Sequence, residues 1–197
     1  SGEFITRIKG VFSGSLSYIF NVFSEQERPF SEVVLEAMEL GYTEPDPRED
    51  LSGNDVGRKV LILARELDLR NEFEDIHIGH LIPSDLRELD MEGFISRLTD
   101  LDPIFQELKD RLPEDHVLRY VGELHGDLRK DRGTLEVKLL TVPRNSPLGQ
   151  VKGSDSLIEI YTESYGVNPL VIQGAGAGAA VTARGVFGDI LRIAEKG

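Results

Sequence analysis

The hydrophobic period changes along this chain and then changes back, and that switch constrains the fold more than any other feature. Through about residue 112 apolar residues recur at helical spacing, from 117 to 173 they alternate with a period of two, and from 179 to 194 helical spacing returns. Helices gathered ahead of strands, rather than interleaved with them, argue for an α+β domain and against a doubly wound parallel sheet. The expected architecture is a mixed, mainly antiparallel sheet covered by helices. At 197 residues the chain suffices for one domain with a sizeable core, and no repeat, low-complexity tract or linker divides it.

Residues 1–4 look like a cloning scar, and residues 5–197 are expected to form the domain, which begins abruptly, as if cut from something longer. Residues 5–8 alternate as a short strand. Leu16, Ile19, Phe20 and Phe23 then make one stripe of a helix over 11–23. A second helix is expected over 31–40, with Ser31 as its N-cap and Gly41 ending it. Residues 42–50 contain Pro45 and Pro47, which exclude regular helix and leave a rigid acidic loop. The strongest helical pattern follows over 53–67, buried through Val56, Val60, Leu63, Ala64 and Leu67, with Ser52 and Asp55 at capping-box spacing. A strand over 75–82 and short helices over 92–98 and 103–112 come next. Strands are expected over 117–124, 134–142, 157–162 and 170–173, ahead of a glycine-rich turn and a last helix over 179–194.

Charge narrows the partners. With 22 Lys+Arg against 35 Asp+Glu the net charge is −13, a field that repels nucleic acid and anionic membranes. No apolar run approaches the roughly 20 residues of a membrane span, and no secretory signal is visible. The absence of cysteine excludes disulfides, thiolate metal sites and a cysteine nucleophile. His77, His80, His116 and His125 fall in strand-like or loop segments without metal-ligand spacing, so no metal site is expected.

The densest chemical signal is the stretch from Gly41 to Lys59, GYTEPDPREDLSGNDVGRK. A stiff acidic loop leads into a helix carrying Asp55 and Lys59 four residues apart, on one face. Beside an apolar stripe that face would be partly desolvated, and a lysine there could carry a proton next to a carboxylate. An amino-acid-like substrate suits the set, with carboxylates for its ammonium and a lysine for its oxygen. The same residues also describe a solvated loop with an exposed ion pair worth about 0.3–0.5 kcal/mol. The segment 174–180, GAGAGAA, superficially fits a dinucleotide turn, but no further βαβ unit follows it. Its small residues read instead as allowing close approach of a ligand or neighbouring element. Ser13, Gly14 and Ser15 open the first helix, where free N–H groups could hold an anion or Ser13 could simply cap.

Taken together, GVFSGSLSYIF from Gly10, the Gly41 to Lys59 stretch and GAGAGAAVTARGVFGDIL from Gly174 resemble homoserine dehydrogenase, in that family's order and at its approximate spacing. The resemblance runs from about Ile5 to the C-terminus and implies the substrate and dimerisation domain of such an enzyme, without its N-terminal NAD(P)-binding domain. It implies interconversion of L-homoserine and L-aspartate 4-semialdehyde, on the route to threonine, isoleucine and methionine. Lys59 would then transfer the proton, Asp50 would support the lysine, and Gly41, Glu44 and Asp55 would hold the amino-acid end of the substrate. Gly178 and Ser15 would border the cofactor, NADP or NAD, held mainly by the absent domain. A monovalent-cation site would lie upstream. The last helix, about 179–195, would pack on the nucleotide domain. A homodimer through the sheet is implied, with a cytoplasmic location or, in a plant, a plastid one. Ser15 stands where many members carry threonine, which keeps the hydroxyl. Alone, the chain is expected to show negligible turnover. The alternatives are a non-catalytic dimerisation or amino-acid-binding module of the same fold, and a related dehydrogenase of different substrate preference.

Overall fold

The computed structural model describes residues 2–176 and 178–195. Ser1 of the expected scar, Ala177 of the glycine-rich turn and the last two residues of the expected domain lie outside them. The chain opens with β1 (Ile5–Val11), then α1 (Gly14–Glu25), α2 (Phe30–Glu39), α3 (Pro47–Leu51) and α4 (Asn54–Glu66). A three-residue strand, β2 (Ile76–Ile78), precedes α5 (Ser84–Arg87), α6 (Met91–Ser96) and α7 (Asp102–Asp110). β3 (His116–His125), β4 (Thr134–Pro143), β5 (Ser156–Thr162) and β6 (Leu170–Gly174) follow, and α8 (Ala179–Glu195) ends the described chain. The six strands form one sheet in the order β2-β4-β3-β1-β5-β6. Among the described residues only the β2–β4 pairing is parallel; β1–β3, β1–β5, β3–β4 and β5–β6 are antiparallel. This is the expected mixed, mainly antiparallel α+β fold. No helix among the described residues is long and apolar enough to cross a membrane.

Several local expectations change. β1 runs on to Val11 because Gly10 and Val11 continue the ladder opposite Ile158 and Leu157, so α1 starts later than its apolar period suggested. Ser31 is not a cap: α2 begins after Pro29, and both the N–H and the hydroxyl of Ser31 donate to Asp102, 71 residues away. Pro47 does not exclude helix. It occupies the first turn of α3, where its missing N–H costs nothing, with Asp46 capping ahead of it. The capping box at Ser52 and Asp55 does not form, because α3 abuts α4 and left-handed Gly53 is the N-cap. The strand expected over 75–82 shrinks to β2.

Helices α1 to α7 contribute to the core on one sheet face, whereas the large apolar side chains of α8 are exposed. Phe20, Phe23, Phe30, Val33, Val60 and Phe105 are essentially without solvent exposure and join Leu118, Tyr120 and Leu124 of β3 in the main core. Phe30 stacks on Phe105 with ring centroids 3.6 Å apart, and Phe23 meets both rings edge-on. Burying each such ring contributes about 1.5–3 kcal/mol. A smaller cluster of Val11, Val117, Val121, Leu148, Val151 and Leu157 lies on the opposite side. There charged side chains also lie across the strands, Lys9 against Glu159 at 3.2 Å and Lys138 against Glu123 at 3.1 Å.

Candidate functional site

Two glycines bring α4 down onto the sheet. Gly10 and Gly122 sit opposite each other on β1 and β3. A Cβ on Gly122 would lie 2.5 Å from Val60 Cγ2 and 2.9 Å from the Phe12 ring, so only glycine admits both. Phe12 thereby lies beside α4, and its carbonyl accepts a hydrogen bond from Lys59 Nζ at 2.8 Å. The same ammonium pairs with Asp55 at 2.7 Å, the helical i,i+4 contact read from the sequence. Lys59 and Asp55 stay 45% and 56% exposed, so the expected partial desolvation is slight in this chain. The reason is their place on α4, whose buried positions are Val56, Gly57, Val60 and Ala64.

The acidic loop is tied to the start of α1. Ser13 caps that helix, accepting from the Leu16 N–H, and its hydroxyl lies 2.9 Å from that of Ser15. Ser15 in turn donates to Asp50 Oδ1 at 2.5 Å, while Asp50 Oδ2 accepts the Glu44 N–H at 2.9 Å. Asp50 therefore bridges α1 and the loop; its hydrogen bonds reach Ser15 and Glu44, and those of Lys59 reach Asp55 and Phe12. Gly41 adopts a left-handed φ of 72° just beyond α2, and the next N–H, that of Tyr42, returns to the Ala37 carbonyl. Tyr42 stacks on Tyr18 with centroids 4.4 Å apart. Tyr18 donates to the Glu36 carboxylate, and that bond, ahead of burial, pushes its phenol up to about 12. Asp46 accepts from the backbone and guanidinium of Arg48, and the guanidinium bond holds its carboxyl below the ordinary carboxylate range.

Two adjoining clefts result. One, of about 430 Å³, is bordered by Ser15, Gly41, Asp50, Asp55, Lys59 and Gly178 together with Ser154. The other, of about 660 Å³, carries Glu44, Asp46, Glu49, Asp50 and Asp55 against Arg58 and Lys59. Asp50, Asp55 and Lys59 border both, while Ser15, Gly41, Glu44 and Gly178 each border one. An excess of carboxylates beside one lysine can hold an ammonium group and present a proton donor to an oxygen nearby. The sequence reading allowed Ser13 as a cap, which it is, but missed Phe12, Tyr18 and Ser154. Nothing local signals Ser154. Outside the clefts, Glu123, His125 and Glu136 meet at metal-ligand spacing on the sheet. The Lys138 ammonium lies 3.1 Å from Glu123 and 2.6 Å from Glu136, and Arg7 also pairs with Glu123, so cations already face both carboxylates.

A family model described as homoserine dehydrogenase matches residues 1–191. The chain is 48% identical to the chloroplastic bifunctional aspartokinase/homoserine dehydrogenase 2 of Zea mays, across 99% of this chain and 21% of that protein. It is 44% identical to the homoserine dehydrogenase of Paracoccidioides brasiliensis, across 100% of this chain and 54% of that one. The chain thus spans about half the length of this fungal relative and about a fifth of the plant one. Among solved structures, a Candida auris protein of unknown function superimposes with a TM-score of 0.85 at 43% identity, covering 98% of this chain and 55% of that chain. A Staphylococcus aureus homoserine dehydrogenase shares the fold, with a TM-score of 0.71 at 19% identity over 97% of this chain and 42% of its own.

Proposed function

This chain belongs to the homoserine dehydrogenase family, and from that premise we propose that it forms the substrate-binding and catalytic part of an NAD(P)-dependent oxidoreductase interconverting L-homoserine and L-aspartate 4-semialdehyde. The observation that carries the reading is the convergence of Ser15, Gly41, Asp50, Asp55, Lys59 and Gly178 on one cleft. Two of the three donors of the Lys59 ammonium are occupied, by Asp55 and the Phe12 carbonyl. The third has no partner among the described residues and can meet the substrate oxygen. As negative charge develops on that oxygen during aldehyde reduction, the ammonium stabilises it and donates the proton; in the alcohol-oxidising direction the neutral amine takes the proton back. Glu44 and Asp55 hold the α-ammonium group of the amino acid, leaving the reacting carbon to face the cofactor.

Gly178 fits a role beside the nicotinamide. It borders the cleft with a φ of 126°, and a Cβ there would meet nothing within 4 Å, so backbone and open space are all it presents. Ser15 would stand on the opposite border. When bound, the nicotinamide supplies or accepts the hydride. Whether NAD or NADP is used, and any monovalent cation, would be decided in the rest of the protein. Phe187, Ile190 and Ile193 of α8 are more than half exposed, which supports docking of that helix on the nucleotide domain. A homodimer through the sheet and a cytoplasmic or plastid location complete the reading.

The test uses the complete protein that carries this chain. Lys59→Ala is expected to lower homoserine-dependent reduction of NADP⁺ or NAD⁺ by about 10²–10⁴-fold. Glu44→Ala should raise the homoserine KM, and the chain alone should show negligible turnover. Undiminished turnover in Lys59→Ala would sink the catalytic assignment. Homoserine binding no weaker after Glu44→Ala or Asp55→Ala would favour a non-catalytic module.

A further inference from the structure

Arg119 is the most deeply buried charged side chain on β3, with 1% of its surface exposed. Among the described residues no carboxylate touches it. Its guanidinium donates instead to the carbonyls of Leu148 at 3.0 Å, Gly149 at 2.9 Å, Val151 at 3.4 Å and Leu118 at 2.8 Å, and to Asn21 Oδ1 at 2.8 Å. Burial lowers its pKa to about 10. A buried cation held by carbonyl dipoles alone is a poor way to gain stability, since well-packed apolar replacements of buried ions are often neutral or better. What the planar fork does supply is direction: it gathers several acceptors in fixed positions.

Three of those acceptors come from one segment, residues 144–155 between β4 and β5. Of the other two, Leu118 and Asn21, the α1 residue Asn21 extends the grip, because its Nδ2 donates to the Gly153 carbonyl at 2.9 Å. Ser154 follows immediately. Its carbonyl would lie 3.3 Å from a Cβ on Gly14, so this segment touches the first turn of α1 and, through Ser154, borders the cleft that holds Ser15, Asp50 and Lys59. One buried fork therefore ties the middle of α1, through Asn21, to the segment whose Ser154 faces the first turn of that helix.

We propose that Arg119, acting through Asn21, is a positioning residue that sets the Ser154 wall of the cleft and with it the fit of the substrate. This rests on reading the cleft as the homoserine site. The decisive variant is Asn21→Asp in the complete enzyme. It keeps an acceptor facing Arg119 and gives the buried cation a carboxylate, but it turns the donor to Gly153 into an opposing acceptor.

The expected result is a homoserine KM raised about 3–10-fold, the effect of one lost buried hydrogen bond, with kcat within about twofold. Tm should stay within a few degrees of the parent. A KM unchanged in folded Asn21→Asp overturns the proposal, because a purely structural role would leave substrate fit alone. Should that variant not fold, Arg119→Lys tests the same point. A single ammonium cannot reproduce the fork, and a folded Arg119→Lys enzyme with parental KM equally overturns the proposal. Failure of the underlying reading looks different: the parent enzyme itself would then not turn over homoserine.

Discussion

Asp50→Asn is the sharpest probe of how the cleft is held together. The parent carboxylate accepts from the buried Ser15 hydroxyl at 2.5 Å and from the exposed Glu44 N–H at 2.9 Å. Hydrogen bonds to a charged partner contribute about 1.5–3 kcal/mol, and neutral ones about half of that. Asparagine has the same shape but a single acceptor, so at best it re-forms both contacts as neutral bonds, with its Nδ2 donating to Ser15 Oγ and its Oδ1 accepting the Glu44 N–H. Water can replace the one to Glu44, so the Ser15 bond dominates. The loss is therefore about 1–2 kcal/mol, which at 2–4 °C per kcal/mol for a chain of this size lowers Tm by about 2–8 °C. Thermal unfolding followed by circular dichroism, on Asp50→Asn, Ser15→Ala and the double variant, reads both the loss and its cause. If the two side chains act through one bond, the double variant is less destabilised than the sum of the singles by about 1 kcal/mol. Strict additivity, or a Tm shift below about 1 °C in Asp50→Asn, would refute the bridge between α1 and the acidic loop.

Gly122→Ala places a Cβ 2.5 Å from Val60 Cγ2 and against the Phe12 ring; overpacking of this kind is expected to cost about 1–3 kcal/mol, and a parental Tm by calorimetry would show that α4 has room to move. The Arg48 guanidinium holds Asp46 below the ordinary carboxylate range. A depressed folded pKa stabilises the protein above the unfolded value and ceases to do so as pH falls through the folded one. The Tm gap between the parent and Asp46→Asn should accordingly be largest near neutral pH and shrink under acid; a gap independent of pH would count against the pair.

The helices and strands were legible because each has a face to bury, and a period of 3.6 or 2 records that face directly in the sequence. The stripe of Leu16, Ile19, Phe20 and Phe23 is fully buried as read. The misreadings have two physical origins, long-range competition for a group that local rules assign locally, and a residue's place within its element. Ser31 has the chemistry of a cap, yet a carboxylate 71 residues away takes both its N–H and its hydroxyl. Pro47 breaks a helix it interrupts but suits one it opens. The same distinction divides the cleft itself. Glu44, Asp50, Asp55 and Lys59 lie within one short stretch, so their convergence needs only a turn and a helix, and sequence spacing suffices to see it. The opposite border needs Ser154, which is brought there by segment 144–155 folding around Arg119 and by Asn21 reaching Gly153, 132 residues further on. No period or motif encodes such a contact, because any buried donor with the right reach would serve. A site built from one local constellation and one tertiary wall is therefore half visible in sequence: the half proposed to carry the chemistry is written out, and the wall proposed to set its dimensions emerges only when the sheet closes.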